Sequence, residues 1–448
     1  MEAERAERWK RLLRTTRLFH DPLQPVTEGR SDFERDHDRV VFSSAFRRLK
    51  DKTQVFPLSP SDYTRTRLTH SLEASCVGRS LGQEALLALR RAGRLADSES
   101  PGIATLVATA CLAHDIGNPP FGHSGEDAIC TWAISHRDVL RLPAPEQTDL
   151  EQFEGNAQGF RIMSRLTNRL RRGGIQPTLA LLGAMTKYPR SSTPSRPPTD
   201  GRASEKKYGF FQDDQEAALH SFSELGMVER VPGMFVRHPL AFLTEAADDI
   251  CYVVMDLEDA FKLKLVSFDT ASDWLKRLTA DPKPSKGEFR ASSELSRLRA
   301  SAVHSMTMAC AKVFEDNLDG IEDGTFDTPL IAATAFANDY KALKRFEQEH
   351  VYTDERALQI EYAGYETLAG LLTAFCDAAL SDKATRSQEK LLRLLPEDSF
   401  DRPDVAKNDR ASLTRYQRVL AMTDFVSGMT DSYAVELYQK LSGIKLPA

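Results

Sequence analysis

The sequence lacks the features that would place the protein in a membrane or outside the cell. No apolar run approaches the ~18 residues that a membrane span requires, and the N-terminus carries Glu2, Glu4 and Glu7 where a secretion signal would be apolar. The six cysteines are scattered and form no Cys-x-x-Cys pair, so we interpret them as reduced core residues. The formal net charge of −6 argues against a protein that binds nucleic acid over its whole surface. We expect a cytoplasmic protein with no membrane contact.

Strand patterns are also scarce and internal repeats are absent, whereas apolar residues recur at helical spacing along most of the chain. We therefore expect an all-α fold, with helices in its second half at 294–317, 327–346, 355–380 and 410–441. Residues 1–29 are predicted to form an N-terminal helical arm, 30–280 one continuous core and 293–448 a C-terminal helical region packed on it. The Ser-, Pro-, Arg- and Gly-rich stretch 189–207 predicts a mobile loop without packed structure, and 281–292 a shorter break.

Two basic stretches have alternative interpretations. The N-terminal helix, with Trp9 and Leu12, is more simply a surface helix than a docking element. A row of arginines follows residue 160, and a solvated helix face is favoured over a phosphate-binding ridge for it. The members of this row are Arg161, Arg165, Arg169 and Arg172.

The most informative stretch is LAHDIGNPPFGHSGE, residues 112–126. An apolar run precedes it and predicts a buried helix that ends near Gly117, because the following prolines cannot continue a helix. His114, Asp115, His123 and Glu126 therefore lie where a buried helix turns into a tight loop. Charged groups are rarely left in such a place without a metal or a partner. The stretch is a candidate active site.

A second signal lies at residues 238–261, HPLAFLTEAADDICYVVMDLEDAF. Asp248, Tyr252, Asp256 and, less closely, Asp259 recur at helical spacing and share one face. The rest of this helix is apolar, which predicts burial on every side. The aspartates must then face something cationic.

His70, His114, Asp115 and Asp248 together give two imidazoles and two carboxylates on three predicted helices. This nitrogen and oxygen set suits Mn²⁺, Fe²⁺, Co²⁺, Ni²⁺, Zn²⁺ or a tightly held Mg²⁺, with positions left for water and substrate. Each residue also has a structural interpretation, since His70 can be a hydrogen-bonded histidine at a helix start and Asp248 half of a buried salt bridge. The joint pattern is less probable by chance than any one member.

These residues resemble the H…HD…D signature of HD-domain phosphohydrolases. More closely, seven segments resemble the dNTP triphosphohydrolases of the dGTPase family, over residues 30 to 438. The segments are RRLKDKTQVF (47–56), TRLTHSLE (66–73), LAHDIGNPPFGHSGE, FEGNAQGF (153–160), TKYP (186–189), EAADDICY (245–252) and SGMTD (427–431). The resemblance implies an HD helical core, and His70, His114, Asp115 and Asp248 as ligands of one divalent metal ion. Asp248 is chosen over Asp249 because Tyr252 and Asp256 then follow at the family's spacing.

The resemblance also implies roles in catalysis and phosphate binding. His123 and Glu126 would be the catalytic pair, with the glutamate orienting the imidazole that handles the protons. Arg67, Lys187 and Asn156 would bind phosphates. The implied reaction releases the whole triphosphate from a dNTP and leaves a deoxynucleoside.

For the sugar, the resemblance implies that Tyr252 stacks under the deoxyribose and that Gln54 and Asp256 contact its 3′-hydroxyl. It implies a homo-oligomer, a hexamer in the resembled family, but the base-reading residues do not follow from the motifs. Two alternatives stay open at this point. The same site could act on another nucleotide phosphoester, or the protein could be a regulator that binds nucleotides or single-stranded DNA.

Overall fold

The computed structural model describes residues 2–19, 29–55, 64–99, 101–169, 172–282, 290–353, 355–403 and 409–445. Helix makes up 65% of the described residues, which is about twice the average of globular proteins. The prediction of an all-α fold is confirmed. Residues 20–28 of the predicted arm and 283–289 of the predicted break lie outside the described ranges.

Twenty α-helices form within these ranges, together with one two-stranded sheet. The helices are α1 (Glu2–Leu12), α2 (Asp32–Phe42), α3 (Ser44–Arg48), α4 (Arg67–Arg91), α5 (Ile103–Ala113), α6 (Gly122–Ser135), α7 (Arg137–Leu140), α8 (Ala144–Glu151), α9 (Gly155–Ser164), α10 (Leu179–Met185), α11 (Gln215–Glu224), α12 (Ala241–Lys262), α13 (Phe268–Arg277), α14 (Ala291–Asp316), α15 (Leu318–Asp323), α16 (Ala337–His350), α17 (Glu355–Leu380), α18 (Arg386–Leu392), α19 (Arg415–Ser427) and α20 (Asp431–Leu441). Strands β1 (Glu229–Val231) and β2 (Met234–Phe235) pair antiparallel.

The buried apolar side chains form two hydrophobic cores. The first is built around α4, which packs against α5, α12 and α14. The second joins α6 and α8 to α17, α19 and α20. Ile116 belongs to the first core and Phe121 to the second. The short segment between α5 and α6 therefore crosses from one core to the other, and it carries the His-Asp motif.

The N-terminal helix is a docked element, so the prediction of a surface helix is wrong. Trp9 and Leu12 are both fully buried in the first core. The Trp9 indole N–H donates to Glu322 Oε1 at 2.7 Å, and the Leu12 carbonyl lies 2.9 Å from His238 Nε2. The apolar residues of α1 indicate which face of the helix could dock, but the sequence does not show which residues that face contacts.

The prediction of a solvated face for the arginine row is wrong for Arg161 and Arg165, whereas the Arg172 side chain is 54% exposed. Helix α9 ends at Ser164, so only Arg161 lies on it. The Arg161 side chain is buried, with Nη1 at 3.0 Å from Asp214 Oδ1 and Nε at 2.9 Å from Asp424 Oδ1. Arg165 Nε pairs with the same Asp214 at 2.9 Å. For these two arginines a buried ion-pair cluster replaces both interpretations, because aspartates distant in sequence compensate the cations.

The prediction of an unpacked segment at 189–207 is wrong for its two ends. Arg190, Ser192, Ser204 and Glu205 are all buried, and Arg190 Nε donates to the Glu205 carbonyl at 3.0 Å. The residues between these ends are mostly exposed. The mobility of that middle part stays a prediction.

The C-terminal half follows the sequence pattern with two differences. Helix α17 has the predicted bounds, but the predicted helix 410–441 is divided into α19 and α20, because the Thr430 side chain caps the backbone N–H of Tyr433 and starts a new helix. The helix predicted at 327–346 begins only at Ala337. Among the described residues, no helix has the length and apolar character needed to cross a bilayer.

Candidate active site

Helix α4 begins at the site and places two of its residues. Thr66 caps the helix through a reciprocal capping box with Thr69. Arg67 is therefore the first helical residue and His70 lies in the same first turn, and both are buried. The capped end fixes the direction in which these two side chains leave the backbone.

The loop after α5 supplies the second pair of residues. His114 and Asp115 follow the last residue of α5 directly. Gly117 then packs against the start of α9 so closely that a Cβ on it would lie 2.1 Å from the Gly155 carbonyl oxygen. Only glycine fits there, and the close approach holds the His-Asp pair against α9. Asn118 Nδ2 donates to Asp115 Oδ1 at 2.6 Å.

The structure brings the four predicted metal ligands together. His70, His114 and Asp115 present ligand atoms that all lie within 4.8 Å of one another. Asp248 of α12 completes the cluster, with Oδ1 at 3.1 Å from His70 Nε2 and 3.4 Å from His114 Nε2. Helices α4, α5 and α12 thus converge on one point, with His114 and Asp115 in the loop directly after α5.

The protonation of the cluster follows from its neighbours. Burial would lower the pKa of His114, but the carboxylates of Asp115 and Asp248 raise it to about 9. Burial would raise the pKa of Asp115, and the nearby Arg67 and His114 lower it to about 2. The pKa of Asp248 is held well below its usual range by His114, against the effect of burial. The two carboxylates thus favour positive charge in the cluster, and a metal ion bound there would take the place of the proton on His114.

The residues present fit a divalent metal ion. His114 Nδ1 lies 2.6 Å from the Cys111 carbonyl, which makes Nδ1 the protonated nitrogen of the neutral ring and turns Nε2 to the cluster. His114 Nε2 is buried and has no hydrogen-bond partner among the described residues. Such a nitrogen costs free energy unless a ligand satisfies it. The donor set of two imidazoles and two carboxylates suits a divalent metal with open coordination positions.

The predicted catalytic pair lies in the first turn of α6. His123 Nδ1 is 2.8 Å from Glu126 Oε2, and the other carboxylate oxygen accepts the Gly155 amide N–H at 2.6 Å. Burial would raise the pKa of Glu126, but the hydrogen bond to His123 lowers it below its usual value. The His123 side chain is 81% exposed, whereas the glutamate is buried. The carboxylate therefore orients an imidazole that projects into the open site.

One cavity of about 360 Å³ joins the metal cluster to the catalytic pair. Its lining carries five cationic and five acidic side chains. The cations are Arg67, Lys187, Lys206, Lys207 and Lys344, and the acids are Asp115, Glu126, Glu245, Asp248 and Asp249. Lys206 and Lys344 form no ion pair with any described residue. A metal held by two of these acids would leave the cavity with a net positive charge.

The predicted substrate-contact residues are mostly on this cavity. Gln54, Arg67, Asn156, Lys187 and Tyr252 line it, whereas Asp256 does not. Asp256 is buried one turn beyond Tyr252 and accepts the Tyr352 hydroxyl at 2.8 Å. Burial raises the pKa of Asp256 to about 8. Among the predicted metal ligands, His70 does not line the cavity. Its Nε2 lies 3.1 Å from Oδ1 of Asp248, which does.

Sequence reasoning missed several residues of the cavity. Asn118 lies inside the motif that was recognised, and its hydrogen bond to Asp115 gives it a role in orienting that ligand. Lys206 and Lys207 directly precede Tyr208 at the end of the Ser- and Pro-rich stretch, where a basic pair was the available signal. Lys344 and Gln348 of α16 also line the cavity. No motif in the sequence indicated them, because lysine and glutamine are common on the exposed face of an amphipathic helix.

Comparison with known families gives the class of the protein. The HD domain matches residues 67–170, which contain α4, the His-Asp motif, α6 and α9. A phosphohydrolase-associated domain matches residues 331–440, the region of α16 to α20. The helical fold, the clustered His and Asp residues and these two matches define an HD-domain phosphohydrolase.

Similar proteins place the chain in one family of that class. It is 41% identical to a deoxyguanosinetriphosphate triphosphohydrolase-like protein of Synechocystis sp., over 98% of this chain and 100% of that protein. A protein of the same description from Pseudomonas aeruginosa is 37% identical over the same shares. A deoxyguanosinetriphosphate triphosphohydrolase of Yersinia pseudotuberculosis is 31% identical over 91% of this chain and 93% of that enzyme. The chain belongs to the deoxyguanosinetriphosphate triphosphohydrolase-like family, as the motifs indicated.

Proposed function

We propose that the protein hydrolyses deoxynucleoside triphosphates to a deoxynucleoside and triphosphate, with a divalent metal ion bound by His70, His114, Asp115 and Asp248. The observation that carries this proposal is the single cavity that holds the clustered ligands, the His123–Glu126 pair and five cationic side chains. A relative's description as a deoxyguanosinetriphosphate triphosphohydrolase supports it.

The cations are arranged to hold a polyphosphate across the site. Arg67 Nη1 donates to Asp115 Oδ2 at 2.7 Å, so its guanidinium lies beside the metal ligands. Lys187 Nζ lies 3.3 Å from Glu245 Oε1 and Lys207 Nζ lies 2.9 Å from Glu154 Oε2. These three pairs keep the cations in place before the substrate binds, and preorganised charge of this kind stabilises the charge that develops on a phosphate in the transition state.

The proton transfer is assigned to His123. With its Nδ1–H donated to Glu126, the neutral ring offers Nε2 as the acceptor and donor of the proton. A water molecule adds to the α-phosphorus and the bond from that phosphorus to the 5′-oxygen breaks. One proton leaves the water and one reaches the 5′-oxygen, so the proton count is balanced through the imidazole. The bound metal would polarise the phosphate and lower the pKa of the attacking water.

The sugar end of the cavity favours a deoxyribose. Tyr252 lies one helical turn beyond Asp248 on α12, so a nucleotide whose α-phosphate meets the metal would place its sugar along that ring. A ring pressed against C2′ leaves no room for a 2′-hydroxyl. The Gln54 side-chain oxygen is buried without a partner among the described residues, so it is available to accept the 3′-hydroxyl.

A panel of the four dNTPs and four NTPs tests the proposal. Each nucleotide is incubated with Mg²⁺, Mn²⁺, Co²⁺, Ni²⁺, Fe²⁺ or Zn²⁺ and the products are separated by ion-exchange chromatography. We expect triphosphate and deoxynucleoside in equal amounts, with no product from the Asp115→Ala variant purified in the same way. Release of orthophosphate, or of a nucleoside monophosphate, would overturn the proposal and favour another phosphoester as the substrate.

A further inference from the structure

One carboxyl group at the sugar end of the site is occupied by another side chain. Asp256 is predicted to contact the 3′-hydroxyl of the sugar, but it is only 2% exposed and does not line the active-site cavity. Its Oδ2 accepts the hydroxyl of Tyr352, a residue just after α16, at 2.8 Å. A substrate hydroxyl that is to reach this carboxyl group must therefore displace Tyr352.

Helix α16 carries a buried carboxyl group that makes no side-chain hydrogen bond. Glu347 is fully buried, and neither of its carboxyl oxygens has a hydrogen-bond partner among the described residues. Burial raises the pKa of Glu347 well above its usual value, and the neighbouring Asp256 raises it further. Buried polar groups in native proteins are nearly always hydrogen-bonded, and an unpaired one destabilises the fold. An acceptor of this kind needs a partner in another state of the protein.

Tyr352 is the side chain that can provide this partner. Its hydroxyl lies close enough to Glu347 to lower the pKa of that group, although its hydrogen bond goes to Asp256. The Tyr352 ring centroid is 6.1 Å from that of Tyr252, which lines the active-site cavity. Helix α16 also reaches the cavity, through Lys344 and Gln348. A ligand in the cavity would thus contact both the helix that carries Glu347 and the ring beside Tyr352.

We propose that Glu347 is a positioning residue for recognition of the sugar. When a deoxynucleoside triphosphate binds, the Tyr352 hydroxyl moves from Asp256 to Glu347, and Asp256 then accepts the 3′-hydroxyl. This inference rests on the proposed function, because it requires a nucleotide with its sugar beside Tyr252. The exchange conserves hydrogen bonds, since the hydroxyl that leaves one carboxyl group is accepted by the other. Without Glu347, the same movement would leave the tyrosine hydroxyl buried and unpaired.

Removal of the acceptor tests the inference through the preference for a 3′-hydroxyl. The measured quantity is the ratio of kcat/KM for the dNTP that is hydrolysed fastest to kcat/KM for its 2′,3′-dideoxy analogue. In Glu347→Leu this ratio should fall roughly 10-fold, the usual effect of a lost hydrogen bond, because Tyr352 keeps Asp256 occupied. The contact with Gln54 remains and accounts for the rest of the preference. The loss should lie in turnover of the dNTP, with little change for the dideoxy analogue.

Two variants of the same helix serve as controls. Glu347→Gln keeps an oxygen that can accept the tyrosine hydroxyl, so it should keep the ratio. Glu349→Leu alters an exposed residue of α16 that pairs with Arg345 and does not line the cavity, and it should also keep the ratio. Glu347→Leu should be at least as stable to denaturant as the unaltered protein, because an apolar side chain replaces an unpaired buried group. Lower stability with an unchanged ratio would show that the carboxyl group is purely structural.

Tyr352→Phe gives a test that does not depend on the folding of Glu347→Leu. Removal of the hydroxyl frees Asp256 directly, so Tyr352→Phe should keep the full ratio, and adding it to Glu347→Leu should restore the ratio. An unchanged ratio in Glu347→Leu, or a lower ratio in Tyr352→Phe, would overturn the inference. If the unaltered protein hydrolyses no dNTP, the proposed function fails and this inference fails with it. Hydrolysis of dNTPs without any preference for the 3′-hydroxyl would overturn this inference alone.

Discussion

Asp248 and Asp249 show how one position along a helix decides the role of a carboxylate. Asp248 Oδ1 lies within 3.4 Å of two histidine nitrogens, whereas Asp249 Oδ1 accepts the Tyr340 hydroxyl at 3.0 Å. Burial raises the pKa of Asp249 to about 6, and the histidine at position 114 lowers that of Asp248. The two neighbours line the same cavity but differ by about 100° around α12.

This difference predicts opposite effects of the same substitution. Asp248→Asn should abolish bound metal and hydrolysis together, because an amide is a much weaker ligand than a carboxylate. Asp249→Asn should keep the metal, since its side chain can still accept the Tyr340 hydroxyl. Elemental analysis of the two purified variants measures this directly. Equal metal content in both would show that Asp248 is not a ligand.

The hydrogen bond between His123 and Glu126 can be tested by reversing its polarity. In Glu126→Gln the amide oxygen can still accept the Gly155 N–H, but the amide nitrogen then faces His123 Nδ1 and stabilises the opposite tautomer. We expect turnover to fall by ~10²–10⁴-fold, as for lost general acid–base catalysis. Metal content and KM should change little. His123→Ala should show the same loss, and near-normal turnover in both variants would assign proton transfer to another group.

Tyr252 is the residue that we expect to exclude ribonucleotides. Tyr252→Ala should raise turnover of NTPs relative to dNTPs, because it opens the space at C2′. Tyr252→Phe is the control, since it keeps the ring and should keep the discrimination. The ratio of kcat/KM for dGTP and GTP measures the effect. An unaltered protein that hydrolyses both at comparable rates would contradict the role of this ring.

The conformation of the segment 189–207 depends on one carboxylate, that of Glu205. Glu205 Oε1 lies 2.9 Å from Arg196 Nη2 and 2.9 Å from Arg230 Nη1, and Oε2 accepts the Thr199 N–H at 2.7 Å. Burial would raise the pKa of Glu205, but these hydrogen bonds lower it to about 2. Lys206 and Lys207, which line the active-site cavity, are the last two residues of this segment and directly follow Glu205.

The lowered pKa gives this element a defined dependence on pH. A folded pKa below the usual value of 4.5 means that the stabilisation is complete above about pH 4.5 and is lost as the pH falls towards 2. Proteolysis within 193–202 should therefore accelerate between pH 4.5 and 2.5, measured with an acid-active protease. Glu205→Gln should be cleaved faster at pH 7 and show a smaller change with pH. The same acid dependence in that variant would assign the effect to another carboxylate.

Features set by nearby residues could be predicted from the sequence, whereas contacts between distant residues could not. The clustering of the proposed metal ligands was predictable from local patterns, since His114 and Asp115 are adjacent and Asp248 repeats with Tyr252 along one helix face. The partners of Arg161 were not, since Asp213 and Asp424 are 52 and 263 residues away. Docking of α1 depends in the same way on a bond from Trp9 to Glu322. With the partners unknown, a row of arginines on an amphipathic pattern is indistinguishable from a solvated face.

This outcome bears on the alternative of a DNA-binding regulator. Part of each feature that suggested it is engaged in internal contacts: Trp9 and Leu12 of the N-terminal helix are in the first core, and Arg161 and Arg165 of the row pair with Asp214. A free basic surface is what a phosphate backbone requires. The cations that remain without ion pairs among the described residues include Lys206 and Lys344, and these line the active-site cavity.

The active site lies between the two hydrophobic cores of the molecule. The proposed metal ligands come from α4, the loop directly after α5, and α12 of the first core. His123 and Glu126 come from α6, which packs on α17 in the second. The segment from Ile116 of the first core to Phe121 of the second connects the two, and the Phe121 N–H donates to Asp431 of α20. The relative position of the two cores therefore sets the distance between the proposed metal ligands and His123.

Two glycines of α17 test whether the second core positions the catalytic pair. A Cβ at Gly364 would lie 2.8 Å from the Phe121 ring, and a Cβ at Gly370 would lie 2.3 Å from the Tyr438 ring. Both alanine variants should lose stability by about 1–3 kcal/mol, as overpacked sites do. Only Gly364→Ala should also lower turnover per folded molecule, with metal content unchanged, because Phe121 precedes α6. Denaturant unfolding, metal analysis and kcat separate these effects, and equal kcat in the two variants would show that the catalytic pair is positioned by the first core alone.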